Sequence, residues 1–250
     1  MANSHERVLR ILRSLRYAHA PMRVSEIARD LHIAQSTVQS IVTSLVKEGA
    51  IVVSADRRYS PGPATLYLGA SYAVTAPLYG AVWGDLIGIA QELRVSALLA
   101  VPWEEHHLIL AIHHKDARFL GLAPGIRFPL GAGSYGKAYY AWSGAPIPSE
   151  LRRYTQATIV DPKEYAAEID RTRWQGYATD NEELSVGSGS VAAAIISTTG
   201  YEAVVGLFSN PASLITERHA LIGQRLAEIA SRGSRVLGYR RLEDVWRAAP

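Results

Sequence analysis

The sequence predicts an α+β protein with a small N-terminal winged helix-turn-helix domain and a larger second domain built on an antiparallel sheet. Three observations support this fold class. The first 60 residues contain three segments with helical apolar spacing and then a hairpin pattern, apolar β-type segments are frequent from residue 95 onward, and an amphipathic helical pattern follows near the end of the chain. A length of 250 residues is sufficient for two domains.

The first two predicted helices form the framework of the N-terminal domain. Ser4 is a candidate N-cap for the first helix, and Pro21 prevents that helix from continuing. Its apolar positions recur at i, i+3, i+4 and i+7 and are Val8, Ile11, Leu12 and Leu15. Ser25 is a candidate cap for a short second helix, whose inward positions are Ile27, Ala28 and Leu31.

The third predicted helix includes the stretch HIAQSTVQSIVTSL, residues 32–45, and has two different faces. The apolar face that packs on the other helices consists of Val38, Ile41, Val42 and Leu45. The polar face consists of Gln35, Ser36, Thr37, Gln39 and Ser40. Short Ser and Thr side chains let a helix approach a major groove closely, and a glutamine amide suits an adenine edge. Taken alone, the pattern also describes an ordinary amphipathic helix with a solvated face.

Residues 50–60 predict a hairpin, the wing, with a polar turn from Ser54 to Arg58. Arg57 and Arg58 lie at its tip, where they can contact phosphates or a minor groove. Arg23, before the second helix, completes the set of candidate DNA-binding residues. Residues 1–60 carry nine Lys or Arg and five acidic residues, in a chain of net charge +3. Together, helix spacing, hairpin and local charge favour DNA binding.

Several segments of the sequence resemble the IclR family of bacterial transcription regulators. The resemblance begins with RVLRILRSL, VSEIARDLHIAQSTVQSIVTSLVKEGAI and the tyrosine that closes the wing. It continues with GIRFPLGAGSYGKAYYAW, residues 125–142, and with RWQGYATDNEEL followed by VGSGSVAAAI within residues 173–195. These segments occur in the family's order and span most of the chain. The resemblance implies a winged helix-turn-helix joined by a helical linker to a GAF-like effector-binding domain.

Three positions depart from the family pattern. His32 stands where a turn glycine is usual, so the turn must accept a non-glycine residue or shift. Ala34 replaces a common proline at the start of the third helix, and Ser40 replaces a frequent basic residue. Because the third helix then has no basic residue before Lys47, we expect weak binding to a single site and a requirement for dimerisation.

The second domain is expected to follow a helical linker. The expected boundaries are 1–62 for the DNA-binding domain, 63–80 for the linker helix and 81–250 for the effector-binding and oligomerisation domain. Strands are predicted at 95–101, 106–115, 117–123 and 126–130, and as a hairpin at 191–197 and 202–209 that turns near Thr199 and Gly200. Helices are predicted at 164–175 and from Thr216 to about Leu237.

The effector site is implied mainly by the resemblance. The first acid of the DNEE run, Asp180, corresponds to an effector-pocket acid, while pocket positions with backbone donors and on strands correspond to Ser134, Tyr135, Ser190 and Ser209. Strand alternation adds Ser188 and Leu207. Gly133 lets backbone N–H groups face the cavity, and the apolar wall is assigned to Phe119, Leu120 and Phe128. Tyr135 would narrow the cavity or stack on an aromatic ring. Such a site suits a small carboxylate or hydroxylated ligand, including an aromatic acid.

Other motifs predict different chemistry. GAGSYGKA, residues 131–138, nearly matches a P-loop, but Ala138 stands where Ser or Thr should bind Mg²⁺. Ser134 and Lys137 have the spacing of a serine acyl enzyme, although no later Lys-[Ser/Thr]-Gly motif exists. A helix beginning at Lys137 and lining a cavity explains the segment better. His106, His107, His113 and His114 could suggest a metal site, but neighbouring strand residues point to opposite faces.

The sequence therefore predicts a cytoplasmic, homodimeric or homotetrameric regulator, and the resemblance adds repression of a catabolic operon through a palindromic operator. The expected partners are double-stranded DNA and a small-molecule effector, without cofactor, metal or membrane. The chain has no cysteine, which excludes disulfides and thiolate metal sites, and neither a secretory signal nor a transmembrane segment is expected. Two alternatives are an enzyme that uses Ser134, Lys137 and Asp180, and a winged-helix module that binds protein.

Overall fold

The computed structural model describes residues 4–18, 20–115, 122–131 and 133–239. The chain divides into two compact units, residues 1–72 and 73–250. Each unit has its own hydrophobic core, and the two are considered separately below. The α+β fold class and the N-terminal helix-turn-helix that the sequence predicts are confirmed.

The N-terminal unit is a three-helix cluster with a two-stranded wing. Its elements are α1 (Ser4–Tyr17), α2 (Val24–Leu31), α3 (Gln35–Lys47), β1 (Ile51–Val53) and β2 (Tyr59–Pro61). The strands pair antiparallel, with Ile51 opposite Pro61. The buried core consists of Ile11, Leu15, Val24, Ile27, Val38, Val42, Ile51 and Tyr59. The apolar face of α3 therefore packs on α1 and α2, which leaves its polar face exposed.

The turn between α2 and α3 accepts histidine in place of glycine. His32 is the C-cap of α2 with φ 52° and ψ 45°, in the left-handed region, and its backbone N–H closes the helix on Ala28 and Arg29. At the other end of α2 the expected cap is wrong. Arg23, rather than Ser25, is the N-cap, because the Glu26 carboxylate accepts a hydrogen bond from the Arg23 N–H at 2.6 Å.

Two apolar helices follow the wing, α4 (Pro63–Thr75) and α5 (Pro77–Leu93). Within the described ranges, no single helix is long and apolar enough to cross a membrane; only 63–72 and 77–93 taken together, as a broken pair, satisfy length and composition. The apolar side chains of α5 have a different explanation, because Val82, Leu86 and Ala90 are fully buried in the core of the second unit.

The second unit is built on a six-stranded antiparallel sheet within the described residues, in the order β5-β4-β3-β8-β7-β6. The strands are β3 (Ser96–Trp103), β4 (His106–His113), β5 (Arg127–Pro129), β6 (Ala178–Asn181), β7 (Gly189–Ser197) and β8 (Gly200–Ser209). The helices are α6 (Gly133–Trp142), α7 (Pro162–Gln175), α8 (Ser213–Thr216) and α9 (His219–Val236). The core residues on one face of the sheet pack with α5 and α9, and those on the other face pack with α6.

The β7–β8 hairpin turns where the sequence predicts, with Ser197 opposite Gly200. Its register places Ser190 opposite Phe208, so these two side chains share a face of the sheet. The short strand β6 is not predicted by the sequence. A strand is also predicted at 117–123, but its residues 117–121 lie outside the described part of the chain.

Candidate nucleic-acid interface and effector cavity

The N-terminal unit brings predicted DNA-binding residues from three elements to one surface. Gln35 and Gln39 are one helical turn apart on α3, and they line a surface concavity together with Arg23 from the start of α2 and Arg57 from the wing. All four side chains are exposed. Two amides that can read base edges thus lie beside two guanidinium groups that can contact phosphates, which suits a duplex groove.

Three other predicted DNA-binding residues of α3 do not line this concavity. Ser36 and Ser40 are exposed and Thr37 is half-buried. The Gln39 side chain is oriented by its own helix, because its amide nitrogen donates to the Thr43 hydroxyl at 3.2 Å and that hydroxyl donates to the Gln39 carbonyl at 2.8 Å. Thr43 therefore holds the Gln39 amide at the exposed surface of α3.

The two wing arginines differ in their surroundings. Arg57 is exposed and has φ 59°, in the left-handed region. Arg58 is half-buried, and its guanidinium contacts Asp56 at 3.1 Å and Glu26 at 3.5 Å. The Ser54 hydroxyl holds the Asp56 pKa below its usual range. Arg58 therefore braces the wing, which leaves Arg57 as the wing arginine directed to solvent.

The second unit contains a partly open cavity between α6 and the sheet. Its volume is about 180 Å³, somewhat larger than an engineered protein cavity of about 150 Å³ that accepts benzene. Five predicted effector-site residues line it: Phe128, Tyr135, Asp180, Ser188 and Ser190. We call this space the effector cavity. Its size and its aromatic walls suit one small ring with polar substituents.

Asp180 lies at the polar end of the effector cavity, on the edge strand β6. Its carboxylate accepts hydrogen bonds from the Glu183 N–H at 2.7 Å and from the Ser190 hydroxyl at 3.1 Å. Ser190 in turn shares a 2.6 Å hydrogen bond with Ser134 at the start of α6. Burial raises the Asp180 pKa, while the Glu183 hydrogen bond and the Lys137 charge oppose the increase. The carboxyl is thus buried but well supplied with donors.

Tyr135, a lining residue of the effector cavity, carries an unsatisfied polar atom. Its side chain is buried, and its hydroxyl has no hydrogen-bond partner among the described residues. Burial raises the Tyr135 pKa, so the hydroxyl stays protonated and can donate. The ring has space because position 206 on β8 is glycine: a Cβ there would lie 2.7 Å from the Tyr135 hydroxyl and ring carbon Cζ.

Some predicted effector-site residues lie elsewhere. Leu207 and Ser209 do not line the cavity, and this part of the prediction is wrong. Ser190 pairs with Phe208, so Phe208 faces the cavity, and its neighbours Leu207 and Ser209 project from the opposite face of β8. There Leu207 joins the core between the sheet, α5 and α9. Gly133 and Ser134 stand just behind the cavity wall; a Cβ at position 133 would meet the Asp180 carboxylate at 2.7 Å. Phe119 and Leu120 lie outside the described residues.

The prediction also missed part of the wall. The additional lining residues are Leu98, Ile109, Leu122, Leu184, Ser185, Gly189 and Phe208. Phe208 lies two residues from Gly206 on one face of β8. Strand alternation could have indicated Phe208 if it had been known which residues of β8 face the cavity. Leu184 and Ser185 lie in the turn after β6 and carry no periodic signal.

The contacts of Lys137 exclude both a P-loop and a serine–lysine catalytic pair. The expectation that a helix begins at Lys137 is wrong, because α6 begins at Gly133 and Lys137 lies inside it. Its ammonium is buried and contacts Glu183 at 2.5 Å, the Thr179 carbonyl at 2.9 Å and Glu168 at 3.5 Å. Ser134 bonds to Ser190 instead. The ammonium therefore has no free face for a phosphate and no contact with the candidate nucleophile.

The histidine-rich strand β4 supports the cavity wall. In the part of the chain that the structure describes, no group of three His, Cys, Asp or Glu side chains could hold a metal ion. His107 is buried, shares a 2.7 Å hydrogen bond with the Tyr201 hydroxyl and stacks on Phe128 at a centroid distance of 5.0 Å. Burial lowers the His107 pKa to about 3, so the neutral ring acts as a packing partner for Phe128.

Comparison with known proteins gives matches to both units. The family description "Bacterial transcriptional regulator IclR C-terminal" matches residues 97–235, and "IclR helix-turn-helix domain" matches residues 4–54. The glycerol operon regulatory protein of Streptomyces coelicolor is 30% identical over 203 residues, covering 77% of this chain and 78% of that protein. The transcriptional repressor IclR of Escherichia coli is 25% identical over 221 residues, covering 84% and 81%.

Solved structures share the fold over nearly the whole chain. An IclR transcriptional regulator from Alicyclobacillus acidocaldarius superposes with a TM-score of 0.80 at 22% identity, covering 95% of this chain and 100% of that one. An IclR homologue from Microbacterium hydrocarbonoxydans, complexed with 4-hydroxybenzoate, gives a TM-score of 0.76 at 21% identity, covering 94% and 99%.

Proposed function

This chain belongs to the IclR family of bacterial transcriptional regulators, and from that membership we propose that it represses a catabolic operon and is released from its operator by a small organic acid. Its relatives are transcriptional regulators and repressors, which favours a regulator over the alternative of an enzyme that uses Ser134, Lys137 and Asp180. The names of the relatives, such as the glycerol operon regulatory protein, support a role in carbon catabolism.

The observation that carries the proposal is the concavity that unites Gln35, Gln39, Arg23 and Arg57. We assign base reading to the two glutamines and phosphate contact to the two arginines, with Ser36, Thr37 and Ser40 allowing close approach of α3 to the groove. Because α3 carries no basic residue before Lys47, affinity for one half-site is expected to be low. Two reading surfaces on a palindromic operator would overcome this weakness.

Exposed apolar side chains on α4 support dimerisation. Leu66, Tyr67 and Leu68 expose 76%, 75% and 66% of their surfaces, which is unusual for three consecutive large apolar residues. A second copy of this chain is the occupant that the proposed palindromic operator requires. We assign α4 to the homodimer contact, and a further contact between second units would give the homotetramer.

The effector cavity supports a ligand of the aromatic-acid type. Phe128, Phe208 and Tyr135 provide aromatic walls, and the free Tyr135 hydroxyl can donate to a ligand carboxylate. The Asp180 carboxylate can accept from a ligand hydroxyl. The 4-hydroxybenzoate bound to the Microbacterium hydrocarbonoxydans relative has these two groups at opposite ends of one ring. Ligand binding would favour one of two arrangements of the reading surfaces.

The proposal is tested by fluorescence anisotropy on duplex DNA from upstream of the protein's own gene and of the neighbouring operon. The full-length protein should bind one of these duplexes at least about 1000-fold more tightly than scrambled DNA. Small aromatic and aliphatic acids that stabilise the protein in a thermal-shift screen should then release it. Equal affinity for operator and scrambled duplex would contradict DNA reading, and turnover of a stabilising acid would favour the enzyme alternative.

A further inference from the structure

A second cavity lies beside the effector cavity in the same unit. Its volume is about 390 Å³, and its described lining residues are all different from those of the effector cavity. The wall is formed by the end of β5, α6, the start of α7 and the segment 143–161. Four tyrosines contribute to it, Tyr139, Tyr140, Tyr154 and Tyr165, so we call it the tyrosine cavity. Neither its size nor its position is explained by the effector site.

The irregular segment 143–161 is fixed in place as one wall of the tyrosine cavity. The Thr155 hydroxyl donates to the Glu182 carbonyl and the Thr158 hydroxyl donates to the Glu183 carbonyl, each at 2.7 Å. Thr158 also accepts hydrogen bonds from the Tyr154 and Thr155 N–H groups. The wall is thus tied to the turn after β6, and the cavity is preformed.

Carboxylates outnumber cations around the tyrosine cavity. Glu105, Glu150 and Glu183 line it, whereas Arg152 is the single basic side chain among its lining residues. The Arg152 guanidinium lies over the Tyr154 ring, 5.3 Å from the ring centroid. Glu105 and Glu150 are exposed, and neither forms an ion pair with a cation in the described ranges. Two exposed carboxylates of the cavity wall are therefore available to a ligand.

The charges behind the wall have the same imbalance. Lys137 is shared by Glu183 and Glu168, and Asp180 lies nearby. Burial raises the Glu183 pKa, Lys137 lowers it, and the neighbouring Asp180 and Glu168 raise it further. Glu168 is also paired with the Arg171 guanidinium at 3.0 Å, so three carboxylates, Glu168, Asp180 and Glu183, are opposed by one ammonium and one guanidinium, and an excess of one carboxylate remains.

Tyrosine rings combined with surplus carboxylate recognise positive charge. The faces of aromatic rings attract ammonium and guanidinium groups, as the position of Arg152 over Tyr154 illustrates in this cavity. An organic anion would find one guanidinium and three carboxylates. We propose that the tyrosine cavity binds a small organic cation, a quaternary ammonium or protonated amine, at a site separate from the effector cavity.

Isothermal titration of the full-length protein with benzyltrimethylammonium tests the proposal, with benzyl alcohol and phenylacetate as neutral and anionic comparisons at one fixed ionic strength. The cation should bind at least about fivefold more tightly than benzyl alcohol, and phenylacetate, which as an aromatic acid is expected in the effector cavity, should not displace it. The double variant Glu105→Gln with Glu150→Gln should weaken cation binding about fivefold or more. Glu217→Gln, an exposed carboxylate outside the cavity, is the matched control and should leave it unchanged.

Three results would overturn the proposal. One is no heat of binding at millimolar benzyltrimethylammonium, and another is displacement of the bound cation by phenylacetate at equal concentration. The third is cation binding that the double variant leaves intact but Asp180→Asn abolishes, which would place the ligand in the effector cavity. DNA binding enters none of these measurements, so failure here leaves the regulatory function untouched.

Discussion

The Arg58 guanidinium donates a hydrogen bond to the carbonyl oxygen of Pro21 at 3.0 Å, joining the wing to the segment before α2 across 37 residues of sequence. With the ion pairs to Asp56 and Glu26, this contact fixes the wing on the helices. Arg57, the adjacent residue, is exposed at the tip. The two neighbouring arginines are therefore expected to have different roles, which a pair of alanine variants can separate.

Arg57→Ala should weaken binding to every duplex, specific or scrambled, because it removes a phosphate contact. The slope of log affinity against log salt should become shallower by about 1, and the melting temperature should be unchanged. Arg58→Ala should lower the melting temperature of the N-terminal unit because its contacts are internal. Salt-dependent anisotropy and thermal denaturation check both variants. An unchanged salt slope in Arg57→Ala would remove that residue from the interface.

Gln39→Ala should reduce sequence discrimination with little loss of non-specific binding. A lost amide–base contact is worth about 1–3 kcal/mol of discrimination, so the operator-to-scrambled affinity ratio should fall about 5-fold to about 150-fold. Ser44→Ala, exposed on the same helix but outside the concavity, is the matched control. A ratio that stays constant in Gln39→Ala would show that another residue reads the bases.

Tyr135→Phe should make the unliganded protein more stable and should weaken its binding of 4-hydroxybenzoate. Removing a buried hydroxyl without a partner relieves a desolvation penalty of about 1–3 kcal/mol in the free energy of unfolding, while 4-hydroxybenzoate loses a donor. Tyr201→Phe is the matched control, because that hydroxyl bonds to His107 at 2.7 Å and its loss should destabilise. Urea denaturation and titration calorimetry measure the two effects. A Tyr135→Phe protein less stable than wild type would contradict the assignment.

Binding of 4-hydroxybenzoate should strengthen as pH falls through the raised pKa of Asp180. Burial raises the Asp180 pKa, so lower pH protonates this carboxyl. Its carbonyl oxygen can still accept from the ligand hydroxyl, while its charge repulsion of the ionised ligand carboxylate across the cavity is removed. The same sign applies to folding: the stability that protonated Asp180 contributes is complete below its unfolded pKa and is lost as pH rises through the raised folded value. Asp180→Asn should flatten both profiles. Affinity that increases with pH in the wild type would disprove this role for Asp180.

Leu66→Asp should shift the protein toward monomer and reduce operator affinity by weakening the α4 contact. The side chain is 76% exposed, so the substitution should cost little stability within one chain. Ser71→Asp places the same charge on a different exposed position of the helix and serves as the control. Light scattering coupled to size-exclusion chromatography reports the mass. An unchanged mass for Leu66→Asp would place the dimer contact elsewhere.

The sequence predicts well where periodicity and burial coincide. Val38 and Val42 mark the buried face of α3, and the 3.6-residue period leaves Gln35 and Gln39 outside. The sequence does not predict which face of the sheet each side chain of β8 occupies. That strand is buried on both faces, so its apolar residues do not indicate which of Leu207 and Phe208 meets the effector cavity. A bulge between Ile195 and Ile196 and the turn at Ser197 set the pairing, and neither leaves a periodic signal.

Two other features depend on tertiary contacts that no local pattern encodes. The strand β6, Ala178–Asn181, has a sequence of low strand propensity and forms because Ala178 pairs with Ala192 at the edge of an existing sheet. The wall of the tyrosine cavity depends on Thr155 and Thr158 reaching carbonyls about 25 residues away. Their hydroxyls have no special spacing in the sequence, so the second cavity could not be predicted.

The glycine at position 206 couples the size of the residue at position 135 to a residue on a different element. A Cβ at that position would occupy the space of the Tyr135 ring, so a larger residue on β8 is compatible with this fold only when α6 carries a smaller one. Divergence in what the protein senses would then proceed by compensated exchange across the cavity. A larger residue at position 206 alone would cost stability until a smaller residue at position 135 restored it, which leaves this fold a narrow evolutionary route to a cavity of different shape.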